Sequence, residues 1–201
     1  MNTSKKKLLS MVFSFRNEEE NLPEFLKRLE GVLSKINYEY ELIFVNDAST
    51  DKSLEILEKA RLDNQRIKII NMSRNFGISA AVIAGFKHVT GDAVIYMDCD
   101  LQDPPELIPE LVKKWEEGSD VVHTVRTKIG DKQPKYTVFK AREPTKLKYD
   151  LPLKTTGVST FIELVGHKAY KHFVIAYSIY LVLFFSNKIG RIDKQLWQSY
   201  K

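Results

Sequence analysis

The sequence predicts an α/β protein: a mostly parallel sheet with helices on both faces, followed by an irregular basic tail. Three observations carry that expectation. Through residue 125, short apolar runs rich in β-forming residues alternate with stretches whose apolar residues recur at helical spacing. Polar, turn-forming clusters end these runs. The 201 residues, 43% of them hydrophobic, suffice for one sizeable domain with a buried core plus an appendage.

The elements follow in order. Leu8 to Ser14 reads as a strand, and Leu22, Phe25, Leu26, Leu29 and Leu33 then recur as one face of a helix. Glu41 to Val45 is a second strand, with a helix from about Ser53 to Ala60 behind it. Ile67 to Ile70, a helix from about Ser79 to Val89, and the strand Ala93 to Met97 repeat the unit. A helix then starts after Pro104-Pro105, with Leu107, Ile108, Leu111, Val112 and Trp115 on one face, and Val121 to Val125 is a further strand.

After Arg126 no sustained period of two or 3.6 appears until the apolar run Phe173 to Phe185, which at about thirteen residues is short of the ~20 a helix needs to cross a bilayer. The sequence thus divides into a domain over residues 1–127 and a tail over 128–201. Charge marks the same boundary: 17 Lys/Arg against 21 Asp/Glu over residues 1–127, and 14 against 5 over residues 128–201. Such a tail could face anionic lipid or nucleic acid. A nucleic-acid-binding protein is not expected, because the well-patterned half is acidic. The single cysteine, Cys99, excludes a disulfide framework. The basic start Asn2 to Lys7 leads into a strand-like run without cleavage-type small residues, so no secretory leader is read and a cytoplasmic protein is expected.

The candidate chemistry lies at strand ends, where open α/β sheets bind ligands. Ala93 to Met97 delivers Asp98, Asp100, Gln102 and Asp103 into one loop, DCDLQD, ahead of a Pro-Pro helix start. Residues two apart in an extended segment share one side, so Asp98 and Asp100 can face the same ligand. One aspartate could therefore hold a hard divalent cation, Mg²⁺ or Mn²⁺, bridging diphosphate oxygens, while the other reaches a sugar hydroxyl or a water of that cation. The competing role for Asp100 or Asp103 is to cap the following helix; the polar clusters ending the other strands favour the ligand role.

The first strand ends in Ser14-Phe15-Arg16-Asn17-Glu18-Glu19 and the second in Asn46-Asp47-Ala48-Ser49-Thr50-Asp51. Asp47 could accept from a base N–H, and Ser49 to Asp51 supply a capping start for the next helix. Ser73-Arg74-Asn75-Phe76-Gly77 follows the third strand, its glycine allowing a positive φ or close approach to a ligand, its arginine either a ligand contact or an ion-pair partner. Arg126, ending the last strand, could neutralise a diphosphate through paired N–H donors. His88, His123, His167 and His172 show no metal-ligand spacing, and the acids flanking Cys99 disfavour its thiolate.

F-R-N-E-E-E-N, V-N-D-A-S-T-D, S-R-N-F-G and Y-M-D-C-D-L-Q-D-P-P-E-L-I-P-E-L resemble family-two glycosyltransferases over residues 8–127. The resemblance implies a GT-A (Rossmann-like) fold. More narrowly, D-x-D-L-Q-D-P-P-E is similar to the polyprenyl-phosphate sugar transferases, the group containing bactoprenol glucosyltransferases and dolichol-phosphate mannose synthases. That likeness implies metal-dependent, inverting transfer of a hexose from a nucleotide sugar, a UDP-sugar ahead of GDP-mannose, to a polyprenyl phosphate in cell-envelope glycosylation. It would place the protein peripherally at the inner face of the cell membrane.

Carried over residue by residue, Asp98, Asp100 and Gln102 fall on the metal site, and Asp47 and Glu18 on nucleotide contacts. Ser14, Arg16, Arg74 and Asp98 line the nucleotide sugar, and Asp100 and Arg126 are the catalytic pair. Ser14 stands where the family has proline. Downstream, family members carry a G-D-F-R-L-like acceptor segment, interface helices and usually two membrane-spanning helices. Here Asp150-Leu151-Pro152 echoes the approach to that segment and the pattern then departs. The expectation for residues 128–201 is a truncated or frame-shifted remnant of the acceptor region. The alternative function is a catalytically impaired nucleotide-sugar-binding remnant or interaction module.

Overall fold

The computed structural model describes residues 6–126, 136–141 and 163–166. Its strands are β1 (Leu8–Phe15), β2 (Glu39–Asn46), β3 (Ile67–Asn71), β4 (Ala93–Asp98), β5 (Val121–Arg126), β6 (Tyr136–Ala141) and β7 (Glu163–Gly166). The helices are α1 (Leu22–Leu33), α2 (Ser53–Asp63), α3 (Ile78–Phe86) and α4 (Ile108–Glu116), the last preceded by a single 3₁₀ turn, Pro105–Leu107. One seven-stranded sheet runs in the order β3-β2-β1-β4-β7-β5-β6. β1 to β4 are mutually parallel, while β7 runs antiparallel to both β4 and β5, and β6 antiparallel to β5.

Alternation along β1 sorts its side chains onto the two sheet faces. Leu9, Met11, Phe13 and Phe15 join the apolar residues of α1, α2 and α4, whereas Val12 joins Ile43, Val45, Val94 and the buried face of α3. Helices therefore cover both faces, as the sequence predicts. Phe13 stacks on Phe44 at 4.7 Å and meets Phe25 edge-on at 5.3 Å, filling the larger layer. On the other face Gly85 lets α3 lie directly against the sheet: a Cβ there would sit 2.4 Å from Val12 Cγ1 and 3.0 Å from Val45 Cγ2.

Two helix ends differ from the sequence expectation, and side-chain hydrogen bonds account for both. α2 continues to Asp63 because Gln65 Nε2 donates to the carbonyls of Arg61 and Leu62, which the helix end leaves open. α3 stops at Phe86 because Glu41 takes the Thr90 N–H at 2.7 Å and Ser10 Oγ takes that of Gly91 at 2.8 Å, turning the chain into β4. The helix expected after Pro104-Pro105 is interrupted because Pro109 has no N–H to return to the Pro105 carbonyl.

Two strands, β6 and β7, come from residues beyond 127, where the sequence reading expects an irregular tail. β7 inserts between β4 and β5 and β6 continues the sheet past β5, so all pairing of β5 is with strands of that later segment. The run Phe173 to Phe185 and Asp150-Leu151-Pro152 lie outside the described residues. Among the described residues, no helix is long and apolar enough to cross a membrane.

Candidate nucleotide-sugar site

The carboxyl ends of β1, β2 and β4 form one edge, with Ser14 in register with both Val45 and Asp98. The loops that leave this edge are bent sharply: among the described residues, Asn17 (φ 56°), Ala48 (φ 55°) and Leu101 (φ 61°) are the positive-φ residues other than glycine, one behind each strand. Asparagine adopts that conformation readily, but alanine and leucine hold it only where surroundings impose it, and such strain gathers at functional sites.

The β1 and β2 loops are tied to each other through both main chain and side chains. Asn17 N–H donates to Ser49 Oγ at 3.0 Å, and Asn17 Oδ1 accepts the Thr50 N–H at 2.8 Å. Glu19 N–H donates to Asp51 Oδ2, and the Lys52 N–H returns to Glu19 Oε2. The Glu18 N–H reaches buried Ser53 Oγ at 2.8 Å, while the Glu18 carboxylate accepts from Asn21 Nδ2 at 2.6 Å. Asp51 also takes the Ser53 N–H, opening α2 as the sequence reading expects of this segment. The two loops therefore move as one piece, with Arg16 exposed and Glu18 half-buried upon it.

Asp47 is 4% exposed and receives the N–H groups of Phe76 (2.8 Å) and Gly77 (2.9 Å) on its two oxygens. It thereby fixes the Ser73–Gly77 loop against the β2 end. Each carboxylate oxygen keeps a second lone pair, so this anchoring leaves capacity for a ligand N–H. Gly77 has φ +89°, as its place before α3 suggested. Arg74 is exposed, its guanidinium 4.7 Å from the centroid of the Phe76 ring.

The β4 corner gathers the acids. Asp98 Oδ1 accepts from Tyr96 OH at 2.6 Å and from Ser14 Oγ at 3.3 Å. Ser14, 3% exposed, thus reaches the aspartate directly from the neighbouring strand. Burial pushes the Asp98 carboxyl above its ordinary value, and the charges of Asp100 and Glu18 push the same way, against the hydrogen bonds from Tyr96 and Ser14. Asp100 Oδ1 accepts the Gln102 N–H at 3.0 Å, closing a local turn that leaves Gln102 itself exposed. Asp103 is fully buried under the loop. Cys99 points into the core, where burial first and the acids of Asp98, Glu18 and Asp100 after it raise its thiol well above the usual value; it is no nucleophile.

Arg126 closes β5, two strands from β4, and its side chain lies outside what is described. The register nevertheless sets its level. His123 and Tyr96 both pair with Glu163 across β7, so Arg126 ends at the level of Cys99, at the same edge as the acids. Strand spacing separates the two ends by roughly 10 Å.

No three His, Cys, Asp or Glu side chains are grouped to hold a metal unaided among the described residues. The donor set does fit a hard cation that arrives with its substrate, since Mg²⁺ is usually held by one or two carboxylates together with phosphate oxygens. Asp98 and Asp100 repel each other across the corner, and a divalent ion would relieve that repulsion.

Sequence reasoning passed over Tyr96, although a polar residue two positions before Asp98 on a strand shares its face. It also missed Asn17 and Asn46, whose side chains brace the loops; Asn46 Oδ1 holds the Ser49 N–H at 2.8 Å and its amide reaches Asn71.

A helix-covered, largely parallel sheet with paired aspartates at the carboxyl edge of a central strand defines a GT-A-type α/β domain. The pattern of glycosyl transferase family 2 matches residues 10–176, and the chain belongs to that family. The match continues past residue 127, through β6 and β7. Over 119 residues the chain is 49% identical to "Uncharacterized glycosyltransferase YkcC" of Bacillus subtilis (strain 168), and over 118 residues 51% identical to "Uncharacterized glycosyltransferase sll0501" of Synechocystis sp. (strain ATCC 27184 / PCC 6803 / Kazusa). Each alignment covers 59% of this chain and 37% of the relative, so the chain spans little more than a third of the length of these curated relatives. Among solved structures, S. aureus TarS 1-349 in complex with UDP-GlcNAc matches with a TM-score of 0.47 at 28% identity, covering 56% of this chain and 32% of that one.

Proposed function

We propose that the domain binds a nucleotide sugar, a UDP-sugar ahead of GDP-mannose, and transfers its hexose with inversion to a polyprenyl phosphate at a membrane surface. The observation that carries this reading is the Asp98–Asp100 corner, set at the same sheet edge as the braced loops holding Arg16, Glu18, Asp47 and Arg74. Asp98 and Asp100, with Gln102 beside them, would hold Mg²⁺ or Mn²⁺ against the diphosphate. When bound, that cation offsets the charge growing on the departing nucleotide.

The chain's own residues do the rest. Ser14 and Glu18 shape the floor of the nucleotide site, and Asp47 holds the Arg74 loop in place while offering its free lone pairs to a base N–H. Arg126, whose backbone ends β5 at the level of Cys99, would be the phosphate-contacting arginine. An acceptor phosphate is already an anion and needs little general-base help, so alignment for attack is the main task left to the protein.

Calorimetry of the full chain with UDP-glucose and GDP-mannose, each with and without Mn²⁺, tests the reading. Metal-linked binding of one nucleotide sugar is expected; no such binding to either would overturn it. Turnover with a polyprenyl phosphate in detergent then separates the transferase from a binding module that has lost its acceptor.

A further inference from the structure

We propose that Tyr96 and Ser14 are positioning residues that fix the Asp98 carboxylate for its cation, an inference that rests on the metal-and-diphosphate reading above. Tyr96 lies two residues before Asp98 on β4 and so shares its sheet face, and Ser14 lies directly beside Asp98 in the β1–β4 register. The Tyr96 ring packs edge-on against Phe86 of α3, with centroids 6.3 Å apart, so the phenol is held from the core side.

Counting protons fixes the hydrogen-bond directions. Tyr96 OH has a single proton, and the 2.6 Å bond to Asp98 Oδ1 uses it. Ser14 Oγ, 3.2 Å from Tyr96 OH and 3.3 Å from Asp98 Oδ1, must then be the donor, shared between the two. Both donors converge on Oδ1, and among the described residues none meets Oδ2. The carboxylate plane is pinned through one oxygen and the other is left for a ligand. This is the arrangement by which hydrogen-bonding neighbours orient metal-binding carboxylates. The two hydroxyls come from adjacent strands of the sheet centre, so the support is rigid where a loop residue's would not be.

The test is the Mn²⁺ dependence of UDP binding, measured by calorimetry, with free Mn²⁺ followed in parallel by electron paramagnetic resonance. Tyr96→Phe keeps the ring against Phe86 and removes the donor. It should weaken Mn²⁺-linked UDP binding about 10-fold, the low end for loss of a ligand's hydrogen-bond partner, and leave metal-free UDP binding unchanged. Ser14→Ala should lose less, and Ser14→Thr, which keeps the hydroxyl, should restore the native value. Equal loss with and without metal, or native Mn²⁺ linkage in both Tyr96→Phe and Ser14→Ala, overturns the assignment. A native chain with no Mn²⁺-linked binding defeats the functional reading and this inference with it, whereas native linkage that both variants retain defeats the inference alone. Should Tyr96→Phe fail to fold, the Ser14→Ala and Ser14→Thr pair decides.

Discussion

Glu41 offers a sharp test of what holds the amino edge of the sheet. Its carboxylate is 6% exposed and accepts from Ser10 Oγ, the Thr90 N–H (2.7 Å), Thr90 Oγ1 (2.9 Å) and Lys68 Nζ (2.6 Å). Glu41→Ala removes the acceptor. Thr90 and Lys68 can turn to water, but Ser10 is fully buried and is left with an unsatisfied donor, at about 1–3 kcal/mol. Adding the lost charge-assisted bonds gives a destabilisation of roughly 2–4 kcal/mol. Glu41→Gln keeps an acceptor for Ser10 and Thr90 and loses the Lys68 pair, whose lysine is half exposed; about 1 kcal/mol is expected.

The two variants also predict a pH dependence. Burial drives the Glu41 carboxyl up, but the donors from Lys68, Ser10 and Thr90 outweigh it and hold the folded value below the ordinary 4.5. The stabilisation is therefore present above the unfolded value and drains away as pH falls through the folded one. Urea unfolding of native chain and Glu41→Gln at pH 7, 5 and 3.5 should show the gap narrow on the acid side. A Glu41→Ala loss below about 0.5 kcal/mol, or a gap constant with pH, would refute the reasoning.

Other perturbations follow from the same geometry. Gly85→Ala places a methyl 2.4 Å from Val12 Cγ1 and should cost about 1–3 kcal/mol in urea unfolding, partly recovered by adding Val12→Ala. Asp98→Asn should abolish Mn²⁺-linked nucleotide binding in calorimetry yet unfold no earlier than the native chain at pH 7. Because the folded carboxyl value is raised, its contribution is fully present below the unfolded value and lost as pH rises through the folded one, so ionised Asp98 is a cost at neutral pH. Arg28→Ala breaks the two-pronged pair with Glu106 (2.9 and 2.6 Å) that ties α1 to the Pro105–Leu107 turn; with Glu106 half exposed, the loss should stay under about 1 kcal/mol and shrink further in 1 M salt.

What the sequence made legible were features with local causes. Periodicity located β1 to β5 and the four helices, and DCDLQD announced its own place because a strand, a loop and a Pro-Pro start follow one another without interruption. Features with distant causes were hidden. The end of α3 depends on Glu41, the anchoring role of Asp47 depends on the N–H groups of Phe76 and Gly77, and the support of Asp98 depends on Ser14. β6 and β7 escaped notice for a related reason: short runs such as Glu163–Gly166 become strands by pairing with β4 and β5, not by a pattern of their own.

The insertion of β7 between β4 and β5 has a consequence for how the chain assembles. As synthesis proceeds, β1 to β4 can pair in sequence, and β5 can form a hairpin-like ribbon with β6, but among the described residues no strand pairing joins ribbon to sheet until Glu163–Gly166 emerges. A nascent chain ending at residue 127 would expose the β4 edge and strand β5 without a partner. The acids of the corner and Arg126 thus belong to two pieces made at different times. The four-residue strand β7, made after both, pairs with each and brings them to one level.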